Sequence, residues 1–432
     1  MFYKVYSFLT YVGVPFFLCR LMWKGKKNKD YLKRIGERFG FANLPPKFSC
    51  DVWFHAVSVG EVKAVTGIIK RLLAEDPQMK VLITTTTPTG SEVVKKDLKN
   101  LVYHTYFPLD LPLVIEKFLK KVKPSLVVIV ETEIWPNLFL KCYEKNIPLI
   151  MINARISPSS FRNYKLIYPF IKDVLNKADM ILARSKEDAN RFISLGVSED
   201  KVCVVGDIKF DIEVDEKVIL KGKELRKTFF DEGKKIWICA STHRGEEKLI
   251  IKVFKEVLRK FPNLKLILAP RHPERVQEIL NILNRYDLTY HLRSDPLKEK
   301  NYDVLVIDTL GELMYFYAAS DLAFVGGSLV PIGGHNLLEP ASLGLPILTG
   351  NHLHNFEEVR DLLLKNQALI VLNDEKELKD NLINLLENED KRRGFGERAK
   401  EVVEKNRGSS LKVISVIKDK ICSASKGFCT NF

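Results

Sequence analysis

Short apolar runs alternate with segments of helical period along the chain past Pro45 and Pro46. Between Val62 and Leu73, for example, apolar side chains recur every three or four positions, which is typical of one buried helix face. The runs predicted as strands are 52–57, 80–85, 102–107, 126–130, 148–153, 180–183 and 201–205, followed by 236–240, 264–269, 304–307, 321–325, 346–348 and 368–371. Strands that alternate with helices in this way indicate βαβ units in parallel, doubly wound sheets.

The alternation falls into two series of similar length, separated by a polar stretch with neither period. We therefore predict an α/β fold with two Rossmann-like doubly wound lobes facing across a cleft, plus an N-terminal anchor. The predicted boundaries are an anchor and basic flank over 1–45, lobes over 46–206 and 218–408, a linker over 207–217, and a tail over 409–432. Because ligands in such sheets bind beyond the carboxyl ends of the strands, we expect the catalytic and binding residues directly after the predicted strands.

The N-terminal segment is apolar and aromatic and carries no charge between Lys4 and Arg20. This stretch is shorter than the ~20 residues that a membrane-crossing helix needs. A basic flank over 20–38 follows it, without a small-residue cleavage site. The positive-inside rule then predicts an anchored protein with its bulk on the cytoplasmic side, and the flank is expected to bind anionic lipid. The alternative is an ordinary first helix packed on the body, and whether an anchor spans the bilayer stays open.

Composition narrows the classes of protein. The 432 residues are 46% hydrophobic and 28% charged, which argues against disorder. The net charge of +14 favours anionic partners. Much of the excess lies in the anchor flank and no binding motif occurs, so nucleic acid is not expected. The seven scattered cysteines indicate reduced thiols in a cytosolic compartment rather than a disulfide framework or a zinc site.

Two candidate sites follow the first two predicted strands. Glu61 ends the motif at 55–61, where Ser58 and Gly60 suit a tight turn into a helix. Glu61 is a candidate general base, or alternatively an acid stabilised by the start of a helix. Thr87, in a run of hydroxyls at 84–92, could bind phosphate or sugar oxygens, or could simply cap a helix.

A pair of acids follows the most apolar predicted strand. Glu131 and Glu133 stand beside Trp135 at the end of the run 126–130, and Arg155 follows the next strand. The acids could hydrogen-bond sugar hydroxyls or position basic residues. Arg155 could pair with one of them or with an anionic group of a substrate.

In the second half, polar residues follow the first two predicted strands of the series. Ser241, Thr242 and His243 follow the run 236–240, and Arg271 and His272 follow the run 264–269. Arg271 is placed for bidentate contact with phosphate or carboxylate.

A glycine-rich segment follows the run 321–325. Gly327 and Gly334 would let the backbone approach a ligand. A helix opening near His335 and Asn336 would offer free N–H groups to a phosphate, and Glu339 could accept hydrogen bonds from ribose hydroxyls. A plain helix cap is the alternative. Since neither a P-loop nor a D-x-D metal clamp occurs at a strand end, a transfer without a metal is expected.

Taken in order, these motifs resemble one family, the Kdo (3-deoxy-D-manno-octulosonic acid) transferases of lipopolysaccharide synthesis. The matching segments are HAVSVGE (55–61), TTTTPTGSE (84–92), FPLDLP (107–112), ETEIWPN (131–137), NARIS (153–157), GDIKFD (206–211), STHRGEE (241–247), PRHPER (270–275), GELMYFYAASDLAFVGGSLV (311–330) and GGHNLLEPA (333–341). The resemblance runs from the N-terminal anchor to about residue 408. The tail beyond carries no recognisable motif.

The resemblance implies a GT-B fold and inverting transfer of Kdo from CMP-Kdo to the lipid A precursor (lipid IVA), without metal or cofactor. It implies an inner-membrane protein with its catalytic domains on the cytoplasmic side. The family's base falls on Glu61 in the acceptor lobe, with Glu131 or Glu133 helping to hold the site. The second lobe is implied to bind CMP-Kdo, and Arg271, Asn336 and Glu339 match positions that bind the nucleotide. The competing interpretations are a transferase or epimerase using a UDP-sugar, and a non-catalytic basic scaffold bound to membrane.

Overall fold

The computed structural model describes residues 2–297 and 299–429, and the chain forms two compact units. The first runs to Asp211 and resumes at Gly408, and the second is Ile212–Arg407. The division lies inside the segment 207–217 predicted as a linker. The predicted tail belongs to the first unit, and its last residues, 430–432, lie outside the described part of the chain. The cysteines whose side chains are described are all free.

The first unit is built on a seven-stranded parallel sheet in the order β3-β2-β1-β4-β5-β6-β7. Its strands are β1 Cys50–His55, β2 Val81–Thr85, β3 Tyr103–Tyr106, β4 Pro124–Val130, β5 Leu149–Ala154, β6 Met180–Ala183 and β7 Val202–Val204. The strand order reverses between β1 and β4, the position where doubly wound sheets bind ligands.

Helices cover both faces of this sheet because its strands are apolar on both sides. Trp53 and Phe54 are fully buried neighbours on β1 that point into separate cores on opposite faces. The helices of this part are α1 Phe2–Lys27, α2 Ile35–Arg38, α3 Val59–Glu75, α4 Pro88–Asp97, α5 Pro112–Val122, α6 Pro136–Glu144, α7 Pro158–Leu166, α8 Tyr168–Leu175 and α9 Lys186–Ser194. Short 3₁₀ helices occur at Lys29–Leu32, Lys99–Leu101, Glu199–Lys201 and Ile208–Phe210.

The second unit repeats the plan with a parallel sheet in the order β10-β11-β9-β8-β12-β13-β14. Its strands are β8 Lys235–Thr242, β9 Leu264–Pro270, β10 Tyr290–Leu292, β11 Val304–Val306, β12 Leu322–Val325, β13 Ile347–Gly350 and β14 Ile370–Leu372. Its helices are α10 Glu216–Phe229, α11 Glu246–Leu258, α12 Val276–Arg285, α13 Leu313–Ala318, α14 Leu338–Ser342, α15 Glu357–Lys365, α16 Glu375–Glu387 and α17 Glu389–Lys405, with a 3₁₀ turn at Pro273–Arg275.

Together the two sheets confirm the predicted α/β fold with two Rossmann-like lobes. The strand β10 was not predicted. Its three half-buried residues, Tyr290–Leu292, lack the valine and isoleucine that marked the other three-residue strands β7, β11 and β14.

The last helix, α18 Ser409–Cys429, returns to the first unit. Its Val413, Ile414 and Ile417 are buried in the core that lies between α3 and the sheet. The carboxylate of Asp211 accepts hydrogen bonds from the backbone N–H groups of Gly408 and Ser410, which fixes the start of this helix. The tail is therefore a structural part of the first unit rather than an appendage.

By length and composition alone, one helix in the described part of the chain, Phe2–Lys26, could cross a membrane. Core helices of soluble proteins and signal sequences pass the same test, so this is weak evidence for an anchor.

Replacing Ile417 by alanine should destabilise the first unit by about 2–5 kcal/mol, because the lost side-chain atoms leave a cavity against the sheet. The matched control is Leu411→Ala on the same helix, where the side chain is 50% exposed and the change should stay within about 0.5 kcal/mol. Thermal unfolding of the full chain compares the two variants. An equal Tm for both would contradict the placement of α18 in the core.

Candidate active site

Glu61 lies in the first turn of α3, directly beyond the carboxyl end of β1. Its carboxylate accepts hydrogen bonds from the Val57 backbone N–H (2.8 Å) and from the Ser58 hydroxyl (2.8 Å). Ser58 occupies the cap position of the helix but uses its hydroxyl on Glu61 rather than on the helix backbone. These bonds fix the carboxylate at the helix start. The interpretation of Glu61 as an acid stabilised by the start of a helix is therefore correct, and it does not exclude a role as base.

Burial sets the proton affinity of Glu61. The residue is only 8% exposed. Burial raises its pKa above the usual value, although the hydrogen bonds from Val57 and Ser58 act in the opposite direction. Gly60 lies in ordinary helical backbone, and a Cβ there would meet only the Ser58 hydroxyl at 3.9 Å, an ordinary contact, so the turn does not require a glycine there.

Glu131 follows β4, next to β1 in the sheet, and has a left-handed backbone with φ of 59°. Arg155 pairs with it at 2.9 Å and Lys209 at 3.1 Å, through different carboxylate oxygens. Burial alone would raise the pKa of Glu131, but Lys209 and Arg155 outweigh that effect and the pKa is lowered. The predicted pairing of Arg155 with an acid is thus present, and Glu131 is ionised at neutral pH.

Glu133 has the opposite character. Burial, together with repulsion from Glu61 and Glu131, raises its pKa to about 7, against an opposing hydrogen-bond contribution from Trp135. Three carboxyl groups that influence one another therefore differ in proton affinity, which is the pattern by which acid and base roles are separated. We call Glu61, Glu131 and Glu133 the glutamate cluster.

Lys209 is the residue of this site that sequence analysis missed. It lies in the 3₁₀ helix Ile208–Phe210, in a segment predicted as linker. Buried Ile208 and Phe210 on either side turn Lys209 towards Glu131, and the Ile208 N–H donates to the Asn153 side chain at 3.2 Å. The sequence did contain a sign of this role. Lys209 stands between Ile208 and Phe210, two apolar residues that would not be expected in a solvated linker.

Thr87 caps α4, as one of the two interpretations of its motif held. Its hydroxyl accepts from the Gly90 N–H (3.1 Å) and lies 3.3 Å from the Val57 carbonyl oxygen, to which it donates. Thr87 therefore braces the same loop that presents Glu61, from the neighbouring strand end.

In the second unit, the ends of β8 and β12 meet where the strand order reverses. The imidazole nitrogens of His243 and His335 lie 2.8 Å apart in stacked rings, and His272 approaches His243 edge-on. Burial and the neighbouring His272 lower the pKa of His243. The structure thus gathers three of the predicted donor-site residues. Ser241 beside them has a left-handed φ of 56°, and the hydroxyl of Thr242 is buried without a protein partner.

Glu246 belongs to the motif at 241–247, but the sequence predicted no role for it; in the structure it organises these strand ends. Its buried carboxylate accepts backbone N–H bonds from His243 (2.9 Å), Gly327 (2.7 Å), Ser328 (3.0 Å) and Leu329 (2.9 Å). Gly327 has φ of 68°, and a side chain there would press on the His335 ring. The glycine is therefore required by the close approach of the loop to His335.

The helix expected near His335 and Asn336 begins later than predicted. Helix α14 starts at Leu338 and has five residues, one of which is Pro340. The side chain of Asn336 accepts from the Leu338 N–H (3.1 Å) and donates to Glu339 (3.1 Å). So short a helix offers little dipole for a phosphate, and it opens two residues after Asn336 rather than at it. The residues before it owe their shape to glycine, with φ of 78° at Gly334.

Arg271 and His272 follow β9 and are exposed. The Arg271 N–H donates to the Thr242 carbonyl at 3.0 Å, which ties this strand end to the preceding one. His272 lies 3.3 Å from the carboxylate of Glu274. No group of three or more His, Cys, Asp or Glu suited to hold a metal ion occurs in residues 2–297 and 299–429.

Comparisons with known proteins match both units. Residues 33–212 match the family described as 3-deoxy-D-manno-octulosonic-acid transferase (kdotransferase), and residues 221–402 match glycosyl transferases group 1. A 3-deoxy-D-manno-octulosonic acid transferase of Haemophilus influenzae is 37% identical over 96% of this chain and 97% of its own length. Another of that name, from Chlamydophila psittaci, is 30% identical over 85% of this chain and 83% of its own length.

Among solved structures, a UDP-GlcNAc 2-epimerase from Neisseria meningitidis covers 85% of this chain and 99% of its own with a TM-score of 0.56. Its sequence identity is 16%, so the likeness concerns the fold.

Glu246→Gln should destabilise the second unit by about 1–3 kcal/mol, because each carboxylate oxygen serves two backbone N–H donors and an amide nitrogen would face two of them. Thermal unfolding measures the effect. Glu397→Gln, at an exposed position of α17 in the same unit, is the control and should match wild type. If the two variants unfold alike, Glu246 does not hold the strand ends together.

Proposed function

This chain belongs to the Kdo transferase family, and from that premise we propose that it transfers Kdo from CMP-Kdo to the lipid A precursor lipid IVA, with Glu61 as general base. It is a glycosyltransferase. The observation that carries the proposal is the glutamate cluster beyond β1 and β4. It combines a buried carboxylate of raised pKa with a neighbouring acid that is neutralised by two cations.

The chemical step requires a base because the attacking group is a neutral sugar hydroxyl, a poor nucleophile. Glu61 takes the hydroxyl proton as the oxygen bonds to the anomeric carbon of Kdo. The bond from that carbon to the phosphate oxygen breaks, and CMP leaves with the electron pair. A single displacement of this kind inverts the anomeric centre. The hydrogen bonds from Val57 and Ser58 orient the carboxylate, and burial makes it a stronger base than a solvated glutamate.

The other charged residues of the first unit support this role. Lys209 lowers the pKa of Glu61, which helps to keep the base ionised. Glu131 holds Lys209 and Arg155 in place. Glu133, with a pKa of about 7, can donate or accept a hydrogen bond with an acceptor hydroxyl. We place Ser58, Gly60 and Thr87 on the acceptor side, where Ser58 and Thr87 shape the loops through their hydroxyl groups.

We assign the donor to the second unit. CMP carries the leaving phosphate, whose developing charge needs positive or N–H neighbours. Exposed Arg271 supplies a guanidinium. Backbone and side-chain polar groups come from the ends of β8 and β9, where the residues are Ser241, Thr242, His243 and His272. The glycine loop supplies further ones from Gly327, Gly334, His335, Asn336 and Glu339. The proposed reaction uses neither a metal nor a cofactor. The proposed setting is the cytoplasmic face of the bacterial inner membrane, with anionic lipids as partners and no role for nucleic acid.

Glu61→Gln should lower turnover by about 10²- to 10⁴-fold, because an amide cannot take the proton, while the affinity for CMP-Kdo stays within about twofold. Purified enzyme is incubated with CMP-Kdo and lipid IVA, and products are weighed by mass spectrometry. Glu144→Gln, at an exposed position of α6 outside these motifs, is the control and should retain full activity.

Three outcomes would contradict the proposal in different ways. Full activity of Glu61→Gln would remove Glu61 as the base but leave the donor and acceptor in place. Stabilisation of wild-type protein by UDP-sugars and not by CMP-Kdo, seen as a rise in Tm, would favour a UDP-sugar enzyme. A chain without transfer activity on any donor would favour a scaffold.

Lys209→Met should move the acid limb of the pH profile of kcat/KM to higher pH. Lys209 lowers the pKa of Glu61, so its removal raises that pKa, and a base works only above its pKa. Lys209→Arg keeps the charge and should leave the limb near its wild-type position. A limb that moves equally in both variants, or moves down in Lys209→Met, would contradict the coupling.

A further inference from the structure

The N-terminal helix α1 has one shielded side along its whole length. The less exposed positions recur every three or four residues and are Tyr3, Tyr6, Ser7, Thr10, Gly13, Val14, Phe17, Leu18, Leu21, Lys24 and Gly25. This period matches one face of a helix. This pattern of exposure does not follow from an amphipathic composition, because the shielded side and the opposite side of the helix are both largely apolar.

Contacts with the first unit occur at both ends of this helix. Near its start, the Tyr6 hydroxyl donates to Asp110 (3.0 Å) and the Ser7 hydroxyl to Asn137 (2.7 Å). Asp110 is buried and also accepts from the backbone at the start of α6, so this anchoring point belongs to the body of the unit. Leu21, near the end of the helix, is buried as well.

The chain is fixed to the same unit directly after the helix. Arg34 donates to the Ser91 hydroxyl (3.2 Å), and the carboxylate of Glu37 accepts from Thr105 (2.9 Å) on β3. From Tyr6 to Lys26 the helix rises about 30 Å, which equals the hydrocarbon thickness of a bilayer. If α1 crossed the bilayer, Tyr6 would lie on the side opposite to Arg34, and both could not contact one unit.

The other side of α1 is a continuous apolar surface. We call it the outward stripe, and its large exposed members are Phe2, Val5, Phe8, Leu9, Tyr11, Val12, Phe16, Met22 and Trp23. Phe16, for example, is 75% exposed. Exposed apolar surface of this extent marks an interaction site.

A second apolar element adjoins this stripe. The turn from α7 to α8, which we call the elbow, exposes Leu166, Ile167 and Tyr168, with Leu166 84% exposed. Phe170, two residues on, lies against Phe2, with ring centroids 6.3 Å apart. The elbow and the stripe are therefore parts of one surface.

Basic residues border both parts of this surface. Arg20 and Lys26 are exposed near the end of α1, and Arg162, Lys165 and Lys172 are exposed around the elbow. An apolar surface edged with cations is complementary to an anionic lipid interface, which attracts lysine and arginine side chains.

We propose that α1 lies in the plane of an anionic membrane without crossing it, and that the elbow is a second lipid-contacting element beside it. The shielded side of α1 then faces the first unit, and the outward stripe faces the acyl chains at the interface. The start of α1 at Phe2 then lies on the same side of the membrane as the body of the protein. This arrangement concerns the membrane surface itself and stands whatever the transferred group is.

The topology is tested by labelling Lys4→Cys in cells with a membrane-impermeant thiol reagent, with wild type as the background for native cysteines. We expect labelling in inverted membrane vesicles and none in intact spheroplasts. Lys26→Cys, at the other end of α1, should behave in the same way and is the control. Labelling of Lys4→Cys from outside the spheroplasts would overturn the in-plane arrangement.

The elbow is tested by flotation of the full-length protein with phosphatidylglycerol vesicles. Leu166→Asp combined with Ile167→Asp should weaken binding at least tenfold, while Leu310→Asp, 68% exposed in the second unit, should leave it unchanged. The variants should share the wild-type Tm, since these side chains lie outside the cores. Equal vesicle binding by both variants would overturn the elbow's role. Loss of a dimer in light scattering without loss of vesicle binding would assign the surface to a second copy of the chain.

Discussion

The buried carboxylate of Glu131 is the constraint on which the candidate site of the first unit depends. A charge beyond the end of a central strand must be neutralised, and here Arg155 and Lys209 do so from two other segments of the chain. The left-handed backbone at Glu131 is maintained by that arrangement. The loop after β4, the loop after β5 and the 3₁₀ helix before Asp211 are thereby held at one point.

The second unit also contains a buried carboxylate that must be stabilised, and it stabilises this group with different partners. Glu246 is also buried at a strand-order reversal, but its partners are four backbone N–H groups instead of two cations. The carboxylate therefore shapes a glycine loop without using any cationic side chain. That leaves the exposed Arg271 beside the loop, where positive charge would be useful to an anionic ligand.

Sequence patterns predicted the fold well because buried parallel strands are apolar runs with clear ends. All strands except β10 were predicted, and β10 lacks the valine and isoleucine of the other three-residue strands. The site was predicted only in part. Side chains directly after strands were found, but Lys209 and Glu246 act through contacts across the sheet edge that no local period reveals. The late start of α14 was missed because Asn336 folds back on Leu338, a local hydrogen bond that competes with helix.

The two interpretations of Glu61, helix-opening acid and general base, are compatible rather than alternative. The N–H of Val57 and the hydroxyl of Ser58 bind the carboxylate in the manner of a helix start, and they also prevent it from rotating. A carboxylate oxygen has two lone pairs, so each oxygen that accepts one of these bonds can still receive a proton. Burial then raises the pKa of a group whose geometry is already set by the fold. The first turn of a helix at a strand-order reversal is thus a suitable position for a general base, because the fold already orients the carboxylate before the substrate binds.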